Sequence, residues 1–210
     1  MNLSLNEVEA TAKRATRGAG YPWGLAEEAA KATRWLCAHG IDGCGVLARI
    51  LSQFDRADLG ACTPTDLGTS WTSARGILCP LTTGTAISDR AADLRAGSIQ
   101  LGRVAEPQML LPFVAQSALQ LGSTVSIAWD GVAAATDGSQ LELNGESGAI
   151  ADAVTVETDG SIGDPVSLHT RAEPDNDDLE TLSRFAQRTY APATEESRLL
   201  GAGAGLSDND

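Results

Sequence analysis

Five polar side chains have the types needed to hold and act on a small charged molecule: Glu28, Arg188, Tyr190, Glu195 and Arg198. A pair of arginines can clamp a carboxylate with forked hydrogen bonds. A glutamate held at the edge of an apolar surface can have a raised pKa and act as a base. Glu28 is assigned that catalytic role, and Arg188, Tyr190, Glu195 and Arg198 are assigned to substrate binding. Ser70 and Arg75, from a Ser/Thr/Gly-rich stretch, join them as substrate-binding candidates. The competing reading is that the same charges form internal salt bridges pinning the C-terminal segment to the N-terminal helices.

Cys37, His39 and Cys44, completed by Cys62 or Cys79, are the candidate metal ligands. Structural zinc is held by paired Cys-x₂₋₄-Cys knuckles. These spacings are irregular and lie in apolar helical patterns, so buried free thiols are expected, with no metal and no cofactor. A catalytic cysteine needs a basic partner, and nothing in the sequence pairs His39 or His169 with Cys79. The run Gly201-Ala202-Gly203-Ala204-Gly205 resembles a phosphate loop but has no preceding strand, and Asp208 and Asp210 follow it. It reads as a tail that is solvated, lies flat on the domain or a partner, or holds a hard cation through Asp208, Asn209 and Asp210.

The helix that carries Glu28 must place it. Leu25, Ala29, Ala32 and Leu36 form its buried stripe after the Tyr21-Pro22-Trp23-Gly24 turn that starts it, where Pro22, with no N–H to leave unpaired, suits a helix start. At ~100° per residue, Glu28 falls beside that stripe near Trp35, whereas Glu27 falls outside and pairs with Lys31. Glu28 is therefore expected to be less exposed than Glu27. An earlier helix starts at a capping box, Ser4 with Glu7, and buries Leu5, Val8, Ala12 and Ala15 before Gly18 and Gly20 end it. A third helix is predicted from Cys44 to Phe54. Residues 58–84 show no period and read as a long loop, with Ser88 capping a short helix to Leu94. A strand over 98–104 and a helix over 108–121 follow.

Val125, Ile127 and Trp129 alternate. Asp130-Gly131, Asp137-Gly138, Asn144-Gly145 and Asp159-Gly160 then punctuate the chain as hairpin turns do. An antiparallel β-meander of four to six strands is expected, its apolar face covered by helices. Pro174 to Asp178 opens a last helix with acids at its positive end, and Leu179, Leu182, Ala186 and Tyr190 make its buried stripe. Pro192 ends it, and Thr194 caps a further turn.

The fold class is thus α+β: one domain over 1–210, with a helical and loop part (1–96), a sheet part (97–170), and a C-terminal helix with a docked tail (171–210). A chain of this length can bury a core without metal or disulfide. Residues 1–100 carry ten basic and ten acidic side chains, and residues 101–210 five and eighteen, giving a net charge of −13. That sign repels phosphate backbones, so no nucleic-acid partner is expected. The apolar run Met109 to Ala115 is far shorter than the ~20 residues that span a bilayer, so no membrane partner is expected either. With no signal peptide pattern at Met1-Asn2-Leu3-Ser4, a cytoplasmic protein with reduced thiols is expected.

Two sets of motifs resemble a known family. Ser4-Leu5-Asn6-Glu7, Gly18 through Ala29 and Trp35-Leu36 form the first. Arg188-Thr189-Tyr190, Pro192-Ala193-Thr194-Glu195 and Gly201 through Asp210 form the second. Together they resemble an uncharacterised family of bacterial proteins with a domain of unknown function, which implies no activity. The first fifty residues are also similar in their Ala-Gly…Ala-Glu…Ala layout to the malate/L-lactate dehydrogenases that lack a Rossmann fold. The Ser-His-Gly segment of that family is absent, and Ala38-His39-Gly40 keeps only His-Gly. This second likeness implies an NAD-dependent 2-hydroxyacid oxidoreductase.

Two functional classes stay open. One is a small-molecule enzyme or enzyme subunit acting on a carboxylate-bearing metabolite, in a cleft between the helices, the 63–85 loops and the tail. The other is a non-catalytic protein that oligomerises with itself or binds a partner subunit.

Overall fold

The computed structural model describes residues 2–68 and 70–190. Glu195, Arg198, the Pro192 break, the Thr194 cap, the glycine run and the docked tail lie outside the described residues.

The chain enters through a two-residue strand, β1 (Leu3–Ser4), and the capping box forms as expected. The Ser4 hydroxyl accepts from the Glu7 N–H (3.3 Å), and the Glu7 carboxylate accepts from the Ser4 N–H (2.8 Å). This starts α1 (Leu5–Gly18), which buries Val8, Ala12 and Ala15. The alanines let α2 (Trp23–Ala38) approach closely along a face of Ala26, Ala29, Ala30, Ala32, Thr33 and Leu36. Pro22 is the extended cap residue that starts α2, as the turn implied. In α3 (Gly43–Gln53), the Asp42 side chain accepts from the Gly45 N–H (3.0 Å), and Val46 and Ile50 are buried with Phe54 beyond the end.

The stretch 58–84 is not one long loop. After β2 (Ser70–Trp71) it contains the start of α4 (Pro80–Asp89), with Pro80 in the first turn. Helix α4 is buried on most sides: Leu81, Thr82, Thr83, Gly84, Ile87 and Ser88 all face protein. A helix buried all round has no amphipathic stripe to betray it. Its Thr82 and Thr85 hydroxyls donate back to Cys79 and Leu81 carbonyls (3.1 and 2.9 Å). Ser88 lies within α4 instead of capping a later helix, and residues 91–95 form a 3₁₀ turn.

Strands β3 (Ile99–Leu101) and β4 (Val104–Ala105) lead to α5 (Leu111–Leu121). Then come β5 (Val125–Trp129), β6 (Val132–Thr136), β7 (Leu141–Asn144), β8 (Ile150–Ala151), β9 (Val154–Glu157) and β10 (Arg171–Ala172). The main sheet has the order β2-β3-β9-β5-β6-β7. Only β5, β6 and β7 form a meander. Strand β9 returns to the other side of β5, and β2 pairs parallel to β3, so the simple antiparallel meander is corrected to a mixed sheet. Asp130 and Gly131 both have positive φ (34° and 84°), as the tight β5–β6 turn requires. Val125, Ile127, Trp129, Val132 and Ala134 are buried on the face where α5 packs.

The last described helix, α6 (Asn176–Gln187), packs on α1 and α3 through Leu182, Phe185 and Ala186. Tyr190, expected on its buried stripe, is 61% exposed, because the helix stops three residues earlier. At the other end of the chain β1 pairs with β10, Leu3 opposite Ala172. Two acids meet where α6 starts against α3. A Cβ added to Gly45 would lie 2.1 Å from Asp42 Oδ2 and 2.8 Å from Asp178 Oδ2. Burial, and then Asp42, pushes the Asp178 carboxyl above its ordinary value. Over the pH range between those two values the folded state holds more protons than the unfolded, so stability falls as pH rises through it. Asp178→Asn is expected to stabilise the fold slightly at pH 7, by less than ~1 kcal/mol because solvent screens this site. The gain should vanish below pH ~4, where Asp178 is protonated in both states. Thermal melts at both pH values check it.

Candidate functional site

A basic pocket lies where α1, the start of α2 and the end of α6 converge. Lys13, Arg14 and Arg17 are at i, i+1 and i+4 on α1, on the side away from Val8, Ala12 and Ala15. Gly20 adopts φ +96°, which reverses the chain, buries Tyr21 and leaves Trp23 59% exposed beside those cations. Lys13 Nζ lies 4.8 Å and Arg17 Cζ 5.3 Å from the Trp23 ring centre, within cation–π range. Arg188 arrives from α6, its guanidinium 4.5 Å from the Phe185 ring. Together with Gly18 and Thr189, these residues line a cavity of about 430 Å³.

Second-tier contacts hold the cations. Arg188 donates two hydrogen bonds to Asp55 (2.6 and 3.0 Å), which keep the Asp55 carboxyl below its ordinary range. Lys13 donates to Glu27 (2.7 Å), and that bond lowers the Glu27 carboxyl. Arg17 donates to the Tyr21 carbonyl, and Arg14 to the Ala10 carbonyl and the Tyr190 hydroxyl (3.3 Å each). Among the described residues, Arg14 and Arg17 meet no carboxylate within salt-bridge distance. Four of the fifteen cationic side chains of a −13 chain thus face one cavity.

The structure places Arg188 in the lining of this pocket and Tyr190 outside the lining but bonded to Arg14, and it places the other described candidates elsewhere. The lower exposure expected of Glu28 is corrected: its side chain is 42% exposed against 41% for Glu27, and it is Glu28, not Glu27, that pairs with Lys31, at 2.8 Å. The i,i+3 partner won because Glu27 is drawn across to Lys13. Ser70 sits in β2 opposite Gln100, and Arg75 lies 4.0 Å from Cys62 Sγ; neither lines the basic pocket. His39 turns to Trp35, stacking on its ring (3.8 Å between centroids) with Nδ1 2.8 Å from the Trp35 carbonyl. All four cysteines are free and buried, and no three potential metal ligands converge among the described residues. Sequence reasoning missed Lys13, Arg14, Arg17 and Trp23. Their signal was present as a basic cluster on the outer face of α1, followed by a tryptophan at a turn.

The fold and site define an α+β protein with a cationic surface pocket. Its residues 3–83 match a family described as a protein of unknown function, DUF3726. The resemblance to an uncharacterised family is thereby shown over the N-terminal stretch, which includes Lys13, Arg14, Arg17 and Trp23; the likeness to malate/L-lactate dehydrogenases is not shown. No curated protein matches the sequence. Among the described residues, no helix is long and apolar enough to cross a membrane.

Proposed function

We propose that the protein binds a small carboxylate-bearing metabolite in the basic pocket, as an enzyme of small-molecule metabolism or a subunit of one. The observation that carries this is the gathering of Lys13, Arg14, Arg17 and Arg188 around an exposed Trp23 on an acidic protein. Arg14 and Arg17 supply the guanidinium forks for the carboxylate. Lys13 and Arg188 add positive potential while Glu27 and Asp55 fix their positions, so little side-chain entropy remains to be lost on binding. Trp23 offers a flat wall to the ligand's carbon skeleton. The described lining supplies binding groups and no general base.

Trp23 is the most exposed of the four tryptophans, so its fluorescence reports on the pocket. Titration with mono-, di- and tricarboxylates is expected to change the emission saturably, and Trp23→Phe should abolish the change. Arg17→Ala should weaken binding roughly tenfold or more, the size of a lost charge-assisted hydrogen bond. A flat response to all three classes at millimolar concentration would remove the proposal.

A second reading rests on Trp23 and Tyr190, 59% and 61% exposed beside arginines. Tryptophan, tyrosine and arginine are the residues that dominate protein interfaces. In this reading the same patch docks a second copy or a partner subunit. Sedimentation of the wild type against Trp23→Ala separates the two readings: a loss of assembly favours docking.

A further inference from the structure

The basic pocket has a definite balance of charge as well as a sign. Of the four cations that line it, Lys13 and Arg188 each meet a carboxylate, Glu27 and Asp55, at 2.7 and 2.6 Å. Those contacts hold both carboxyls below their ordinary range, so both are ionised at neutral pH. The charges of Arg14 and Arg17 have no such countercharge among the described residues. No aspartate or glutamate belongs to the described lining. The pocket therefore presents two positive charges in excess.

Hydrogen-bond donors remain at both groups. A guanidinium carries five N–H donors in a fixed fork. Arg14 directs one to the Ala10 carbonyl and one to the Tyr190 hydroxyl, and Arg17 directs one to the Tyr21 carbonyl. One carboxylate accepts a parallel pair from one fork. A monocarboxylate would thus engage one arginine and leave the other. The two are three residues apart on α1, which sets their Cβ atoms roughly 5–6 Å apart on one side of the helix. Lys13 is four residues before Arg17, and like charges at these spacings repel. A dianion relieves that repulsion at both guanidinium groups, and a monoanion at one.

We propose that the ligand of this pocket is a dicarboxylate without an amino group, about four or five carbons long, with one carboxylate on the Arg14 fork and the other on the Arg17 fork. The inference rests on the reading of the pocket as a carboxylate site and names the class of carboxylate. Its two negative charges match the two cations that lack a countercharge. An ammonium on the ligand would meet no carboxylate in the described lining and would face those guanidinium groups, so an amino dicarboxylate is rejected. A third carboxylate would reach only Lys13 and Arg188, whose charges Glu27 and Asp55 already balance, so a tricarboxylate gains little.

Calorimetric titration of the full-length protein at low ionic strength tests this, with glutarate, butyrate, glutamate, citrate and inorganic phosphate as probes. Glutarate is expected to bind about tenfold or more tighter than butyrate, the size of a second charge-assisted contact, and tighter than glutamate by a similar factor. Citrate should bind within about threefold of glutarate. Arg14→Gln, at an exposed position of α1, should bring the glutarate-to-butyrate ratio to about twofold or less, because one fork remains. Arg17→Gln should do the same, so that a folding defect in one variant, read by circular dichroism, leaves the other to report. Equal affinity for glutarate and butyrate, or a preference that survives both substitutions, would overturn the inference and leave the pocket a general carboxylate site. Tighter binding of phosphate or glutamate than of glutarate would overturn it as well. No binding by any carboxylate would remove the underlying reading of the pocket along with it.

Discussion

Replacing Arg49 by methionine is expected to lower the unfolding free energy by about 3 kcal/mol. Arg49 on α3 donates from Nε and a terminal nitrogen to the two oxygens of Glu106, at 2.9 and 3.0 Å. The Glu106 side chain is 5% exposed, and its backbone is held at φ +44° just before the Pro107 turn, with its N–H donating to the Ala149 carbonyl (2.7 Å). It cannot swing out without dismantling that turn. Loss of the guanidinium therefore leaves a carboxylate in the protein with no countercharge, which costs far more than the pair is worth. The figure is set at the low end of the usual range because Arg49 is itself 48% exposed, giving water a route to the site. The corresponding fall in melting temperature is roughly 6–12 °C for a chain of this size. The double variant Arg49→Met with Glu106→Gln should recover part of the loss, since the remaining amide is uncharged. Urea denaturation of the three variants measures this. A loss below about 1 kcal/mol for Arg49→Met would mean the pair behaves as a surface contact.

Gly18→Ala should destabilise by about 3 kcal/mol and also disable the basic pocket. A Cβ at position 18 would sit 1.7 Å from the Phe185 carbonyl oxygen and 2.6 Å from its carbon. Those atoms are backbone in the last turns of α6, so no side-chain rotation relieves the overlap. Helix α6 must move off α1, and it carries Arg188 with it. The corresponding change at Gly24, which has nothing within 4 Å, should be nearly silent in both stability and ligand binding. Chemical denaturation and the Trp23 titration on both variants check the two effects together. Wild-type anion affinity in a destabilised Gly18→Ala would show that the pocket does not depend on the α1–α6 approach.

The elements with a strong local signature were legible in the sequence. The Ser4–Glu7 box, the alanine face of α2, the Asp-Gly turn at 130–131 and the acidic start of α6 each depend on residues within a few positions of one another. Helix α4 was not legible, because burial on nearly every side erases the periodic contrast between core and solvent. The strand order was not legible either. Whether β9 pairs with β5 or β7 is settled by packing between segments far apart in the chain, and alternation alone cannot tell the choices apart. The site shows the same divide. Arg188 and Tyr190 stood out by residue type. Their partners Lys13, Arg14 and Arg17 looked like an ordinary solvated helix face until α6 was laid against α1. The exposure and pairing expected of Glu27 and Glu28 differed from the structure because a helical projection gives an angle and omits the neighbour: Lys13 on the adjacent helix captured Glu27 and left Lys31 to Glu28.

The pairing of β1 with β10 closes the chain on itself. Leu3 meets Ala172 across nearly the whole described length, and α1 meets α6 in the same layer. Contacts between segments so distant incur their loop-closure entropy before any packing is gained, so such contacts are slow to form. The helical hairpin of α1 and α2 and the β5–β6 hairpin need no such closure and can form early. The basic pocket, assembled from α1 and the end of α6, then exists only in molecules that have completed the circuit. Its ligand would distinguish finished from unfinished chains, adding RT ln(1 + [L]/Kd) to the stability of the former alone. In refolding experiments, recovery of the Trp23 ligand response should therefore lag behind recovery of helix, and the lag would time the closing step.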